Sequence, residues 1–326
     1  MKNFRERRIS ESREYSMRLF MKRYGIFFIM LCLFAILSLT SDSFLKLGNI
    51  TNIMNSVSLN GILALGMVFV MTAGGIDLSV GSLLALASTT IGVVLEATHN
   101  NFLACVAAVC ICSLLGLMNG ILVAKFDMFP FVVTLASQLV IRGLGYVFSG
   151  GYSFALANPS FTNIGLGKLF GAIPYPIIML LGIAVLAYII LHCTKYGRYV
   201  YAVGGNINTA RASGVNVPGV LIGTYVISGF CAGVAGIILT TRINAAQPNI
   251  GVGYEVDAIA ACVLGGTSFA GGVSTIPGTF IGIVFIGIMY NGMNLLGIES
   301  YWQTIVKGLV IIGAVLLDTV LNKRKR

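Results

Sequence analysis

Apolar residues in this chain come in long blocks divided by short polar connections. Runs of about 17–25 residues recur almost from end to end, each enough for a helix to cross a hydrocarbon core of about 30 Å. They predict spans near 25–41, 58–76, 79–96, 102–124, 129–149, 173–193, 218–240, 258–271, 277–297 and 301–321. A membrane barrel would show short strands of alternating polarity instead. The expectation is an all-α integral membrane protein with about ten transmembrane helices.

Three stretches depart from the pattern. At 72–82, Thr-Ala-Gly-Gly-Ile-Asp-Leu-Ser-Val-Gly-Ser puts an acid and three glycines where two spans meet with almost no loop. The run Gly-Gly-Thr-Ser-Phe-Ala-Gly-Gly-Val-Ser-Thr-Ile-Pro-Gly at 265–278 puts five glycines and no acid at a second such junction. Broken or re-entrant helices are expected at both, because backbone freed from a helix is tolerated at membrane depth only beside protein or water. Both share a Gly-Gly pair followed seven residues later by glycine: Gly74, Gly75 and Gly81, then Gly265, Gly266 and Gly272. Matching interruptions in two halves point to an internal repeat that lines a pathway; coincidence is the competing reading in a chain with 40 glycines. The third departure is a polar, glycine-punctuated, net basic insert at 194–217, long for a connection between spans.

Composition rules out a water-soluble globule, since 57% of residues are hydrophobic and only 10% charged. A formal charge of +10 raises the question of nucleic acid, but the basic residues lie at membrane-proximal ends. Lys2, Arg5, Arg7, Arg8, Arg13, Arg18, Lys22 and Arg23 precede the first span, and Lys323 to Arg326 close the chain. Such clusters mark cytoplasmic flanks and exclude a nucleic-acid partner. Starting inside, six crossings return the chain to the cytoplasm at Lys195, and four more return it at Lys323, so charge and span count agree. The domain plan is a basic cytoplasmic tail at 1–24, a transmembrane domain at 25–321 with the cytoplasmic loop 194–217, and a basic cytoplasmic tail at 322–326. The first apolar run shows no small-x-small cleavage site and reads as an uncleaved span. Outward loops are expected at 42–57, 97–101, 150–172, 241–257 and 298–300. The seven cysteines lack metal-site spacing, and no metal site is expected.

No catalytic constellation stands out: the phosphate-loop, H-E-x-x-H and G-x-S-x-G patterns are missing from the sequence. The chain is therefore not expected to hydrolyse ATP. Charges within spans are few. Asp77 lies in the first break, either in a pathway or capping the helix that follows. Asp257 precedes an apolar run as a helix cap or a proton site, with Glu255 beside it, and Lys307 is placed to snorkel outward. Arg142 lies about 12 Å inside its span, counting about 1.5 Å per residue from the outer end. It must donate to a carboxylate such as Asp77, to carbonyls freed at a break, or to a substrate. Asn60, Asn119, Gln138, Asn291 and Asn294 are uncharged polar groups in spans, suited either to a polyhydroxylated solute or to holding helices together. Gly229, Gly233 and Gly236 predict close helix contact.

Taken together these residues resemble the permease subunits of ABC-type sugar importers, in the branch that holds the ribose, xylose and galactose permeases. The likeness rests on Gly-Gly-Ile-Asp-Leu-Ser-Val-Gly-Ser at 74–82 and on Gly-Arg-Tyr, Gly-Gly-Asn and Ala-Ser-Gly-Val at 197–199, 204–206 and 212–215. It continues in Tyr-Glu-Val-Asp-Ala-Ile-Ala-Ala at 254–261 running into Val-Leu-Gly-Gly-Thr-Ser, and in Tyr-Trp-Gln at 301–303 with Val-Lys-Gly at 306–308. The stretch at 291–297 is more like ribose permeases, while 268–275 and 301–303 are more like galactoside ones.

The resemblance implies a bacterial inner-membrane protein, surrounded by lipid, in which two copies form the pore for a monosaccharide. It implies a cytoplasmic ATPase that carries the ATP and Mg2+, with no cofactor in this chain, and an external or periplasmic solute-binding protein. The 194–217 loop would grip the ATPase through Arg198, Gly205, Asn206, Ala210, Arg211 and Gly214, with a short helix at 208–213 capped by Asn206 or Asn208 and stopped by Gly214. The binding protein would meet Arg242, Glu255 and Asp257. The pathway would be lined by Asp77, Asn119, Gln138, Arg142, Asn291 and Asn294. A stand-alone ion-coupled carrier and an integral-membrane enzyme are the competing readings.

Overall fold

The computed structural model describes residues 25–156 and 159–323. The basic tail at 1–24 and the last three residues of the chain lie outside them. Helices form in the order α1 (Gly25–Thr40), α2 (Leu47–Thr72), α3 (Val80–Thr98), α4 (Asn101–Lys125), α5 (Pro130–Ser149), α6 (Pro159–Leu166) and α7 (Tyr175–Tyr188). After a π-helical turn at Ile189–Cys193 come α8 (Lys195–Gly205), α9 (Ile207–Ala212), α10 (Val217–Ile243), α11 (Tyr254–Leu264), α12 (Ile276–Leu295) and α13 (Ser300–Lys323). Helix starts are written in the sequence. Proline occupies the first turn of α5, α7, α10 and α12, where its missing N–H costs nothing. The Asn100, Asn216 and Thr275 side chains each accept from a backbone N–H three residues on.

Seven helices among the described residues are long and apolar enough to cross a membrane: α2, α3, α4, α5, α7 with its π turn, α10 and α12. α1 is a shorter apolar helix. α11, expected as a span at 258–271, has 11 residues. At about 1.5 Å per residue it reaches only half-way through a bilayer. The outward loop expected at 42–57 is mostly helix, because α2 starts at Leu47; asparagines in its first turns lower the hydropathy without breaking the helix. The loop at 150–172 is also built up, with α6 and the antiparallel pair β2 (Lys168–Leu169) and β3 (Ile173–Pro174).

α2, α3 and α10 form the buried centre. Backbone carries their packing. A Cβ at Gly229 of α10 would strike the Cys112 carbonyl on α4, and one at Gly116 would strike the Tyr225 carbonyl. Gly233 faces Val109 and Gly236 faces Ala87, so the small-residue spacing of α10 marks its contacts with α4 and α3. α4, α5 and α7 keep most of their apolar surface outward.

The segment after α10 departs furthest from the expected loop at 241–257. β4 (Ala245–Ala246) pairs antiparallel with β1 (Phe154–Ala155). The chain then runs down along α3: Gln247 N–H donates to Ser88 Oγ at 3.2 Å, and Gly251 reaches Gly81 near the start of α3. This strap is a third interruption inside the bundle. Its residues, with Gln247, Pro248 and Asn249, read as an ordinary polar loop.

Candidate functional site

The two predicted breaks end their helices in the same way. At the end of α2, Ala73 has φ −77° and Gly74 has φ +86°, with Gly74 N–H donating to Met71 O and Gly75 N–H to Val70 O. At the end of α11, Gly265 has φ −70° and Gly266 φ +86°, with Gly266 N–H donating to Val263 O and Thr267 N–H to Cys262 O. Both are glycine stops that use a left-handed residue. Gly74 corresponds to Gly266, one residue off the register of the shared glycine pattern.

The two breaks meet each other and α8 at one place. Gly272 N–H donates to Thr72 O at 2.9 Å. Thr72 Oγ1 lies 2.6 Å from Ser274 Oγ, Ser274 Oγ donates to the Tyr201 hydroxyl at 3.2 Å, and that hydroxyl donates to Ser274 O at 2.9 Å. A Cβ at Gly204 of α8 would collide with the Thr72 carbonyl, one at Gly271 would lie 2.8 Å from Gly204 O and 2.9 Å from Gly74 Cα, and one at Gly272 would lie 2.9 Å from Gly205 Cα. Three chain segments are thus in backbone contact. Sequence alone gave Tyr201 no role, and Thr72, Gly204 and Ser274 stood only within longer motifs, although Gly197, Tyr201 and Gly204 share the i, i+4, i+7 spacing of one helix face.

α8 is tied to the spans at its other end as well. Thr194 caps it by accepting from Gly197 N–H at 3.2 Å, and a Cβ at Gly197 would strike the Leu191 carbonyl at the π turn. The Tyr196 hydroxyl donates to Val220 O of α10 at 3.0 Å. Burial pushes both the Tyr196 and Tyr201 hydroxyls above the ordinary phenol range, an effect partly offset at Tyr201 by its bond with Ser274, so both remain protonated donors at neutral pH. α9 follows with Asn206 as its cap, accepting from Thr209 N–H at 3.0 Å, and stops at Gly214, φ +79°. Arg198, Gly205, Asn206, Arg211 and Gly214 are exposed, whereas Ala210 is buried.

The in-span polar residues fall into separate groups. Asp77 Oδ1 accepts from Ser79 N–H at 3.0 Å and Ser79 Oγ at 2.5 Å, and Oδ2 accepts from Ser228 Oγ at 2.7 Å. Asn119 donates to Ser79 Oγ at 3.0 Å and accepts from Ser137 Oγ at 2.5 Å. This closed network binds the first break to α4, α5 and α10. Asn291 exchanges amide hydrogen bonds with Asn49 at 2.7 and 2.9 Å, and Asn294 accepts from Gln303 at 2.8 Å. Arg142 takes the second of its three expected options and donates to the strap carbonyls, Pro248 O at 3.1 Å and Ile250 O.

Asp257 and Lys307 differ from their sequence readings. α11 is capped by Gly253, and no side chain accepts there. The Asp257 carboxylate instead meets Lys307 Nζ at 2.7 Å and accepts from the Tyr290 hydroxyl at 2.8 Å, with Lys307 over the Tyr290 ring. The snorkelling expected of Lys307 gives way to an ion pair that joins α11, α12 and α13. Glu255 and Asp257 are both buried, while Arg242 is half-buried near the end of α10. Among the described residues no cluster of His, Cys, Asp and Glu could hold a metal ion.

The family model described as "Branched-chain amino acid transport system / permease component" matches residues 49–315. The ribose import permease protein of Bacillus subtilis is 43% identical over 300 residues, covering 91% of this chain and 93% of that protein. The D-allose transport system permease protein of Escherichia coli is 38% identical over 316 residues, 96% of this chain and 97% of its own length. The L-arabinose transport system permease protein of Escherichia coli is 35% identical over 304 residues, 93% and 92%. No solved structure matches. The glycine stops, the capped polar insert and the long apolar helices are therefore those of a membrane transport component, and the chain belongs to the branched-chain amino acid transport system permease family.

Proposed function

We propose that this chain is the pore-forming permease subunit of an ATP-driven importer for a monosaccharide, ribose or a related sugar. The observation that carries this reading is the identity to ribose import permeases, 39–43% over more than nine-tenths of the chain. On this reading two copies enclose the pore in a bacterial inner membrane, a cytoplasmic ATPase supplies energy, and an external binding protein delivers the sugar. Counting α1, α13 and the strap with α11 as one crossing beside the seven long helices, the chain crosses about ten times with both tails inside, and the matching glycine stops of α2 and α11 support an internal repeat.

The ATPase docks on the outer face of α8 and α9, at Arg198, Gly205, Asn206, Arg211 and Gly214. Ala210 supports that face from beneath. The backbone junction below α8 carries the movement to both helix breaks, as rigid-body rocking requires. Arg242 and the surrounding outer surface receive the binding protein; Glu255 and Asp257 act inside the bundle. An ion-coupled carrier would keep acids free for coupling; Asp77 and Asp257 are held by serines and by Lys307, which leaves Glu255 as the one buried acid with an unpartnered oxygen among the described residues.

The test is reconstitution in vesicles with the partner ATPase and binding protein. Sugar-loaded binding protein should stimulate ATP hydrolysis, and sugar uptake should require ATP. Uptake by this chain alone, driven by an ion gradient, would overturn the proposal.

A further inference from the structure

Three polar residues share one face of α5 at i, i+4 and i+8, and they reach the first break, the start of α11 and the strap. Thr134 Oγ1 lies 3.3 Å from Ile76 O in the first break. Gln138 Nε2 donates to Glu255 Oε1 at 3.4 Å, and Arg142 holds the strap carbonyls. Gln138 and Arg142 are only half-buried. Arg142 lies about 10 Å from the outer end of α5 and Gln138 about 6 Å deeper. A half-open guanidinium and amide at that depth cannot face hydrocarbon, so this face borders water, a polar solute or a second copy of the chain.

Glu255 completes the arrangement. It is 6% exposed, and Oε1 accepts from Gln138 and from Gly253 N–H at 3.2 Å. Its other oxygen, Oε2, is buried without a partner. A carboxylate oxygen so placed lacks a donor that neighbouring protein groups do not supply. Gly81 lets Oε2 and the Gly251 carbonyl close against its Cα, since a Cβ there would strike both. Glu255 and Arg142 act on one another as opposite charges, so the cluster has no net formal charge. Its acceptors are a carboxylate oxygen, an amide oxygen and strap carbonyls; its donors are an amide and a guanidinium. That set suits a neutral polyol better than an anion or a cation.

Resting on the permease reading above, we infer that Gln138, Arg142 and Glu255 form a station that holds sugar hydroxyls in transit, with Glu255 Oε2 accepting one of them. The experiment compares the parental complex with complexes carrying Glu255→Gln or Gln138→Ala in vesicles, using radiolabelled ribose. It measures uptake and ATP hydrolysis stimulated by ribose-loaded binding protein. Each variant should keep ATP hydrolysis within about twofold while uptake falls at least about tenfold, the scale of one hydrogen bond to a charged group. The sugar moved per ATP then drops. Uptake at the parental rate in both variants, or uptake and hydrolysis falling in parallel, would overturn the station and leave these residues a packing role.

A second measurement does not depend on the Glu255 variant assembling. Gln138→Cys should react with a membrane-impermeant thiol reagent, and ribose-loaded binding protein should change its rate, whereas Leu139→Cys on the apolar face should stay unmodified. An unreactive Gln138→Cys sinks the inference. If the parental complex shows no stimulated hydrolysis at all, it is the permease reading itself that fails.

Discussion

Gly204 and Gly205 are adjacent in sequence and unequal in consequence. A Cβ at Gly204 meets the Thr72 carbonyl, which is backbone and cannot swing aside, whereas a Cβ at Gly205 meets nothing within 4 Å. Gly204→Ala should lower stability by about 1–3 kcal/mol, the usual cost of overpacking, seen as a lower unfolding temperature in detergent; Gly205→Ala should not. Lys307 presents a second residue-scale case. Lys307→Met leaves Asp257 charged and buried, at a cost of about 3–5 kcal/mol, and adding Asp257→Asn should recover much of the loss in the same melt. Neither contact was legible beforehand. Polarity along the chain marked Asp257 and Lys307 as unusual, but 50 residues separate them, and spacing says nothing about partners on different helices.

Among the elements, helices were read best where hydropathy and boundaries coincide, as for α4 and α5, and worst where polar residues sit inside helix or apolar ones outside it. α2 gained its first turns from a predicted loop, and the strap was missed because extended backbone inside a bundle has no periodic signature. The insert was half legible: glycine and asparagine spacing gave the α9 cap and stop, while α8 was hidden behind its glycines. Asn206→Ala should destabilise α9 by about 1 kcal/mol, detectable as faster hydrogen exchange of the 207–212 amides, with Asn206→Asp close to parental. Arg211→Ala and Gly214→Ala should each uncouple transport while membrane insertion stays intact. Equal uptake by both variants and the parent would move the docking role elsewhere.

For the whole molecule, the proposed orientation with both tails inside is open to direct trial. A cysteine at Asn208 should label only from the cytoplasmic side and one at Tyr152 only from outside, measured by peptide mapping against the chain's seven native cysteines. Labelling of both from one side would refute the topology. The class of molecule was plain from composition, but the meeting of the two breaks was not, since it joins residues about two hundred positions apart. The inner side of α8 touches those breaks through the backbone of Gly204 and Gly205 and the Tyr201 hydroxyl, while its outer side is ordinary side-chain surface. With the ATPase docked on α8 and α9 as proposed, the insert is an adaptor with one fixed plug and one interchangeable socket. Grafting only the outward positions of another permease's insert onto this chain should redirect it to a different motor without disturbing the helix breaks beneath.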